Sequence, residues 1–297
     1  MATRSNFYQH FSIKPCVWEP KTPLLRTHFT SLQKTPFLIN SNAFKLSATR
    51  LGLNKKVAAV LSEEKEIETS GSGTDVFKLT YLELDDLPGI DCLLITQSLD
   101  DHCHLKTLKP LSQKLPSFRV IATPNAKAKL DPLFTNVTYL EPGQASEIQV
   151  NSGSSVKIRA TAGPVLGPPW QRPENGYLVT SPGGELTLYY EPHCVFNENF
   201  VEKERADIVI TPVVKQLLPN FTLVSGQEDA VRLAKLLHAQ FIVPMKNGDL
   251  DSKGLLSSLV KTAGTIESFK EMLLKELPDA KVLQPTPGKP VEISARQ

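Results

Sequence analysis

Residues 90–108 read Ile-Asp-Cys-Leu-Leu-Ile-Thr-Gln-Ser-Leu-Asp-Asp-His-Cys-His-Leu-Lys-Thr-Leu. Residues 92–96 form a short apolar run with a β-branched end, the pattern of a strand buried on both faces. Asp100, Asp101, His102 and His104 follow, four titratable side chains within five residues. Leu105, Leu108 and Leu111 then take helical spacing. A buried strand that hands a polar cluster to a helix is where open α/β sheets place their chemistry.

The same architecture recurs downstream. Residues 119–123 read as a strand, and Pro124 suits the first turn of a short helix running to Leu133. Residues 137–140 and 156–161 are further strands, the latter alternating apolar and polar as a half-buried antiparallel strand does. Residues 163–175 form a proline-rich loop bearing Trp170, Gln171 and Arg172, a mouth suited to an anionic or planar substrate or, equally, a loop capped by a packed Trp. Ser-Pro-Gly-Gly at 181–184 joins two hairpin strands. The second of these delivers Glu191, Pro192, His193 and Cys194, a second polar cluster behind a buried strand. Residues 207–211 and 240–245 are two more buried strands. Residues 225–239 predict a helix, with Ser225 and Glu228 as a capping box and Ala230, Leu233, Ala234 and Leu237 as its apolar stripe. Helices are also expected over 253–262 and 266–277, and an edge strand over 281–284.

Composition bounds the rest. Forty per cent hydrophobic and 22% charged residues make an ordinary globular chain. Residues 1–56 hold nine Lys or Arg against one acid, Glu19, so the remainder is net −6 where the whole chain is +2. That remainder carries no nucleic-acid footprint. Residues 1–56, rich in Ser and Thr and nearly free of acid, have the composition of an organelle transit peptide, whose slight excess of Ser and Thr over basic residues favours the chloroplast stroma over the mitochondrion, or else of a disordered, non-targeting N-terminus; no apolar membrane span is present. Residues 57–75 read as a flexible lead-in, 76–284 as the folded domain and 285–297 as a loose tail. Beyond the presequence, Cys92, Cys103 and Cys194 are odd in number and lack C-x-x-C spacing, so neither a disulfide framework nor a zinc ribbon is indicated.

Residues 90–108 resemble the signature of metallo-β-lactamase-fold hydrolases, a strand followed by His-x-His-x-Asp-His and a helix. Asp101 and His102 match its Asp-His, while Gln97 and Leu99 stand at its two leading histidines. The family's third histidine corresponds to the histidine-free residues 163–170, its bridging aspartate to residues 191–193, and its last histidine to Lys246. The helix over 226–237 resembles that of the subgroup including the ascorbate-phosphate lactonases. The resemblance implies an α/β (α+β) fold, a four-layer αββα sandwich, here with its N-terminal strands truncated, either by a segment missing between Glu83 and Leu84 or by a naturally short N-terminal half.

It also implies metal chemistry. With four histidines after residue 56, the family's two-metal site cannot be filled. Asp101, His102, Glu191 and His193 are the residue types for one zinc, manganese or iron ion, with Asp101 also catalytic and Trp170, Arg172 and Lys246 contacting substrate. Three functions remain open. One is a metal-dependent hydrolase of an ester, lactone or phosphoester. Another is a metal-free module binding a small molecule or a protein, with Lys246 neutralising the carboxylates. The third is a thiol-sensitive protein with Cys103 and Cys194 close across the cleft. Each residue also has a plainer role: Asp101 as a helix cap, His104 as a solvated helix-start residue, His193 as a turn residue.

Overall fold

The alternation along two parallel strands sets up the layers. In a computed structural model that describes residues 90–150, 154–165, 171–184, 186–219, 221–245, 259–284 and 293, with the backbone of 37–39, strand β2 is Cys92–Ile95 and β3 is Arg119–Ala122. Cys92, Leu94 and Ile121 point into one buried cluster, and Leu93, Ile95, Val120 and Ala122 into another. A strand with both faces apolar needs a layer on each side. One side is covered by helix α1, Leu105–Lys114, through Leu108 and Leu111, and by α2, Lys127–Leu130, through Leu130.

The other side meets a second sheet. Strands β5 (Ala145–Gln149), β6 (Ser155–Ala162), β7 (Asn175–Thr180), β8 (Thr187–Tyr190), β9 (Ile208–Pro212), β12 (Phe241–Met245) and β14 (Lys281–Val282) pair in the order β14-β12-β9-β8-β7-β6-β5. Val156, Ile158, Tyr177, Val179, Leu188, Ile208 and Ile210 pack against Cys92, Leu94 and Ile121 between the sheets. Each fully buried side chain of this size contributes about 1.5–3 kcal/mol. On the outer face, Leu178, Tyr189, Val209 and Ile242 meet helix α4 (Glu228–Leu236) and α5 (Ile266–Glu276), the second through Phe269 and Leu273. Helices, sheet, sheet, helices: this is the expected four-layer sandwich.

The first sheet has the order β1-β2-β3-β4, with β1 Phe37–Ile39 and β4 Asn136–Tyr139. β1 runs antiparallel to β2, with Leu38 opposite Leu93, and it lies inside the stretch expected to be a transit peptide. A small third sheet joins β11 (Phe221–Val224), β10 (Lys215–Leu218) and β13 (Lys261–Ala263). A four-residue helix, α3, spans Glu198–Val201. The hairpin between β7 and β8 turns as expected, with Gly183 and Gly184 at positive φ and Ser181 Oγ accepting from Leu186 N at 2.9 Å.

Several local expectations change. The helix over 225–239 starts at Glu228, its N-cap is Gln227, and no side chain caps it; Glu228 instead pairs with Lys215 at 2.7 Å. The capping box sits at α5, where Thr265 and Ser268 satisfy each other's backbone N–H groups. Thr262, expected in a helix, lies in β13, because its backbone pairs with Gln216. β5, β10 and β11 were not expected from their sequence. The suspected break between Glu83 and Leu84 falls outside the described residues, as do the lead-in and most of the presequence and tail. Among the described residues no helix is long and apolar enough to cross a membrane.

Candidate metal site

Three loops at the ends of β2, β7 and β8 bring the polar groups together. The chain leaves β2 at Thr96, whose carbonyl accepts from Asn175 N at 2.9 Å and whose hydroxyl lies 2.7 Å from His102 Nδ1. A tight turn follows, in which His102 N and Cys103 N both donate to Leu99 O. It returns His102 beneath the strand end, 3% exposed. His104 then opens α1 as its N-cap, with Nδ1 2.7 Å from Thr107 Oγ1, so it takes the helix-start role and Asp101 does not cap. Asp100 binds Lys129 Nζ at 2.6 Å, and that ammonium holds its carboxyl below the usual range.

After β8 the chain turns back at once. Glu191 is fully buried and both of its carboxylate oxygens lie 3.2 Å from His193 N, while Oε2 also accepts from Val195 N at 3.0 Å. Cys194 adopts φ +54°, uncommon for a residue with a Cβ, and the clamp on its two neighbours' N–H groups holds it there. Ser225 N donates to His193 O at 2.9 Å, fixing the loop against the start of the β11–α4 connection.

The third loop precedes β7. Gly163 N donates to Glu174 O at 2.7 Å and Glu174 N to Pro164 O at 2.8 Å, so the two limbs of the proline-rich loop pair at its neck. A Cβ at Gly163 would stand 3.2 Å from Glu174 O and 3.4 Å from Glu191 Oε1, so a side chain there would crowd the neck. This pairing carries the Glu174 side chain, 1% exposed, to the Nδ1 atoms of both histidines. Its Oε2 contacts His193 Nδ1 directly, and its Oε1 lies 3.0 Å from His102 Nδ1. The imidazoles stack with centroids 5.0 Å apart and planes 18° from parallel.

Burial opposes the charge on Glu174, but the two imidazoles outweigh it and hold the carboxyl below its ordinary value. One donor atom from each of His102, Glu174 and His193 falls within 4.8 Å of the others. Tetrahedral zinc with bonds of about 2.1 Å sets its donors about 3.4 Å apart, a spacing that this 4.8 Å limit allows. The donor chemistry fits as well. His102 Nε2 and Gln97 Nε2 are buried without a hydrogen-bond partner among the described residues, although Asp101 Oδ2 stands 3.5 Å from His102 Nε2, and Glu174 Oε1 faces His102 Nδ1 at 3.0 Å. Two imidazoles and a carboxylate suit one divalent ion. A pair of ions does not fit, since Leu99 is apolar and 43% exposed.

The structure therefore brings together His102 and His193 and sets Asp101, one-third exposed, beside the first of them. Glu191 is turned to backbone N–H groups, and the residue beside the imidazoles is Glu174, which the sequence reading passed over. Its only signal was an acid in a long irregular loop just ahead of a strand. Arg172 is 54% exposed, paired with Glu141 at 3.1 Å, and its carbonyl accepts from Asn125 Nδ2. Trp170 and Lys246 lie outside the described residues. Cys103 and Cys194 are buried in different clusters on the outer faces of opposite sheets, so they do not face each other across a cleft.

A family model described as beta-lactamase superfamily domain matches residues 63–246. No curated protein matches. Among solved structures, Igni18, a metallo hydrolase from the hyperthermophilic archaeon Ignicoccus hospitalis KIN4/I, aligns with TM-score 0.52 at 16% identity over 72% of this chain and 85% of its own. Unliganded yeast PDE1 aligns with TM-score 0.50 at 10% identity, over 67% and 68%. An isothiocyanate hydrolase from Delia radicum gut bacteria aligns with TM-score 0.46 at 17% identity, over 88% and 91%. At these identities the first two likenesses speak for the fold.

Proposed function

The chain belongs to the beta-lactamase superfamily, and from that premise we propose that it is a hydrolase using one divalent metal ion on an ester, lactone or phosphoester. The observation that carries this reading is the buried convergence of His102, Glu174 and His193, three donor residues on three separate loops with no nonpolar reason to meet. These residues would hold the ion. The chemistry such an ion supplies is polarisation of the scissile group and acidification of water. In ester or lactone hydrolysis the oxygen of water bonds to the acyl carbon and the acyl–oxygen bond breaks. One proton leaves with the alcohol and the other passes to solvent. Asp101, beside His102 and the part of the cluster open to solvent, is placed to take that proton. Thr96 and Glu174 orient the His102 ring, and Glu174 orients that of His193.

Metal analysis of untagged protein tests this. The expected result is about one zinc, manganese or iron per chain, lost in Glu174→Gln; well-folded protein without metal overturns it. Metal-free protein would favour the second reading, a small-molecule binding module. The direct contact of Glu174 with both Nδ1 atoms supports that reading, since it pairs the charges without a metal once one ring gains a proton. We also place the protein in the chloroplast stroma on the composition of residues 1–56. Imaging a fluorescent fusion checks this, and cytosolic signal would overturn it.

A further inference from the structure

We propose that Asn175 and Tyr177 are positioning residues of the metal site: their hydrogen bonds lock the two large sheets together at its edge and so set the distance between His102 on one sheet and Glu174 and His193 on the other. The inference rests on the hydrolase reading and deepens it by naming what keeps the ligands in register. Those ligands come from both layers. His102 follows β2 in the first sheet, whereas Glu174 precedes β7 and His193 follows β8 in the second. The core between the layers is apolar. Apolar burial is non-directional, so it resists separation of the sheets far more than a small slide of one over the other. A metal site tolerates little slide, because its bond lengths hold within about 0.2 Å.

Directional bonds supply the register. Asn175, the first residue of β7, is fully buried. Its N donates to Thr96 O at 2.9 Å, and its Nδ2 donates to Leu140 O at 2.8 Å and to Tyr177 Oη at 3.3 Å. The Tyr177 hydroxyl, equally buried, donates to Ile95 O at 2.8 Å. These bonds run from β7 to the ends of β2 and β4. Leu140 N donates to Ala122 O and Thr123 N to Ile95 O, so the strand ends that are gripped are themselves joined. The grip lies one step from the ligands on either side. Asn175 follows Glu174 directly in the chain, and the Thr96 hydroxyl holds His102 Nδ1 at 2.7 Å. Asn175 and Tyr177 therefore act through Thr96 and Glu174.

Three variants of the full chain test this. Tyr177→Phe keeps the ring and removes only the hydroxyl, and Asn175→Ala removes the carboxamide. Thr187→Val is the control, since it breaks the hydroxyl's bonds to Asp207 at the opposite end of β8 from His193. When chelator-treated protein is titrated with zinc, the dissociation constant should rise about tenfold in Tyr177→Phe and about a hundredfold in Asn175→Ala, and stay unchanged in Thr187→Val. Unchanged zinc affinity in Tyr177→Phe, or an equal loss in Thr187→Val, overturns the proposal. The two readings fail separately. Zinc bound as tightly by Tyr177→Phe as by wild type keeps the hydrolase and refutes the positioning. Wild type that binds no zinc refutes the hydrolase, and the positioning is then read from the imidazole ¹⁵N signals of His102. Those signals should move in Tyr177→Phe and stay in Thr187→Val; signals that stay in Tyr177→Phe overturn it.

Discussion

Two buried glutamates stand in the loops flanking the β7–β8 hairpin, and their carboxylates do opposite work. Glu191 sits two residues from His193 in sequence and spends its oxygens on backbone N–H groups of its own turn. Glu174, nineteen residues from His193, meets the imidazoles. An acid close in sequence to a histidine is bound by local geometry to the backbone between them. An acid that arrives on another loop is free to meet the ring. Clusters read along the chain thus identify turns as readily as they identify sites.

The hardest test of that contrast is to neutralise each acid in turn. Glu174→Gln leaves two buried imidazoles without their shared counter-charge. It should cost about 3–5 kcal/mol of stability in urea unfolding, the penalty for breaking a buried ion pair from one side. Glu191→Gln keeps an acceptor oxygen for the turn and should cost about 1–3 kcal/mol, with metal content untouched. If Glu191→Gln strips metal as completely as Glu174→Gln, the two acids share one job and the contrast is gone.

Acid sharpens it further. The Glu174 carboxyl is held below its ordinary value of 4.5 by His193 and His102. A carboxyl depressed in the folded state contributes stability that is complete above its unfolded pKa and drains away as pH falls through the folded one. Chelator-treated wild type should therefore lose its lead over Glu174→Gln only on acidification below 4.5, the ordinary carboxyl value. Urea midpoints across that range measure it, and a lead that grows in acid contradicts the assignment.

The smallest effect is expected at the cysteines beside each histidine. Burial pushes the Cys103 thiol up to about 11 and raises that of Cys194 well above its usual value. Peptide mapping after iodoacetamide should find both unmodified in folded protein and alkylated after unfolding. A Cys103–Cys194 bridge under oxidation would revive the thiol-sensitive reading that their separation argues against.

The fold was largely legible because its strands are long apolar runs with both faces covered, and the stripe of α4 names its buried side. Ala230, Leu233, Ala234 and Leu237 are all fully buried, as expected. β5 and the β10–β11 hairpin were not legible. Their residues are mixed and half-exposed, and only their pairing, β5 with β6 and β10 with β11 and β13, makes them strands. At the site, His102 and His193 could be picked out as strand-end polar residues. Glu174 could not, because its role depends on the neck of a loop closed by Gly163 and Pro164. Gln97 was visible only as a substitution, and its unpaired amide is a property of burial.

β1 has one further implication. Import with cleavage near residue 56 would remove Phe37–Ile39 and strip the antiparallel neighbour from Leu93 and its flanking residues. The bared row of main-chain donors and acceptors would then be a socket for a strand supplied by another polypeptide. On that proposal, losing the presequence would uncover a docking edge.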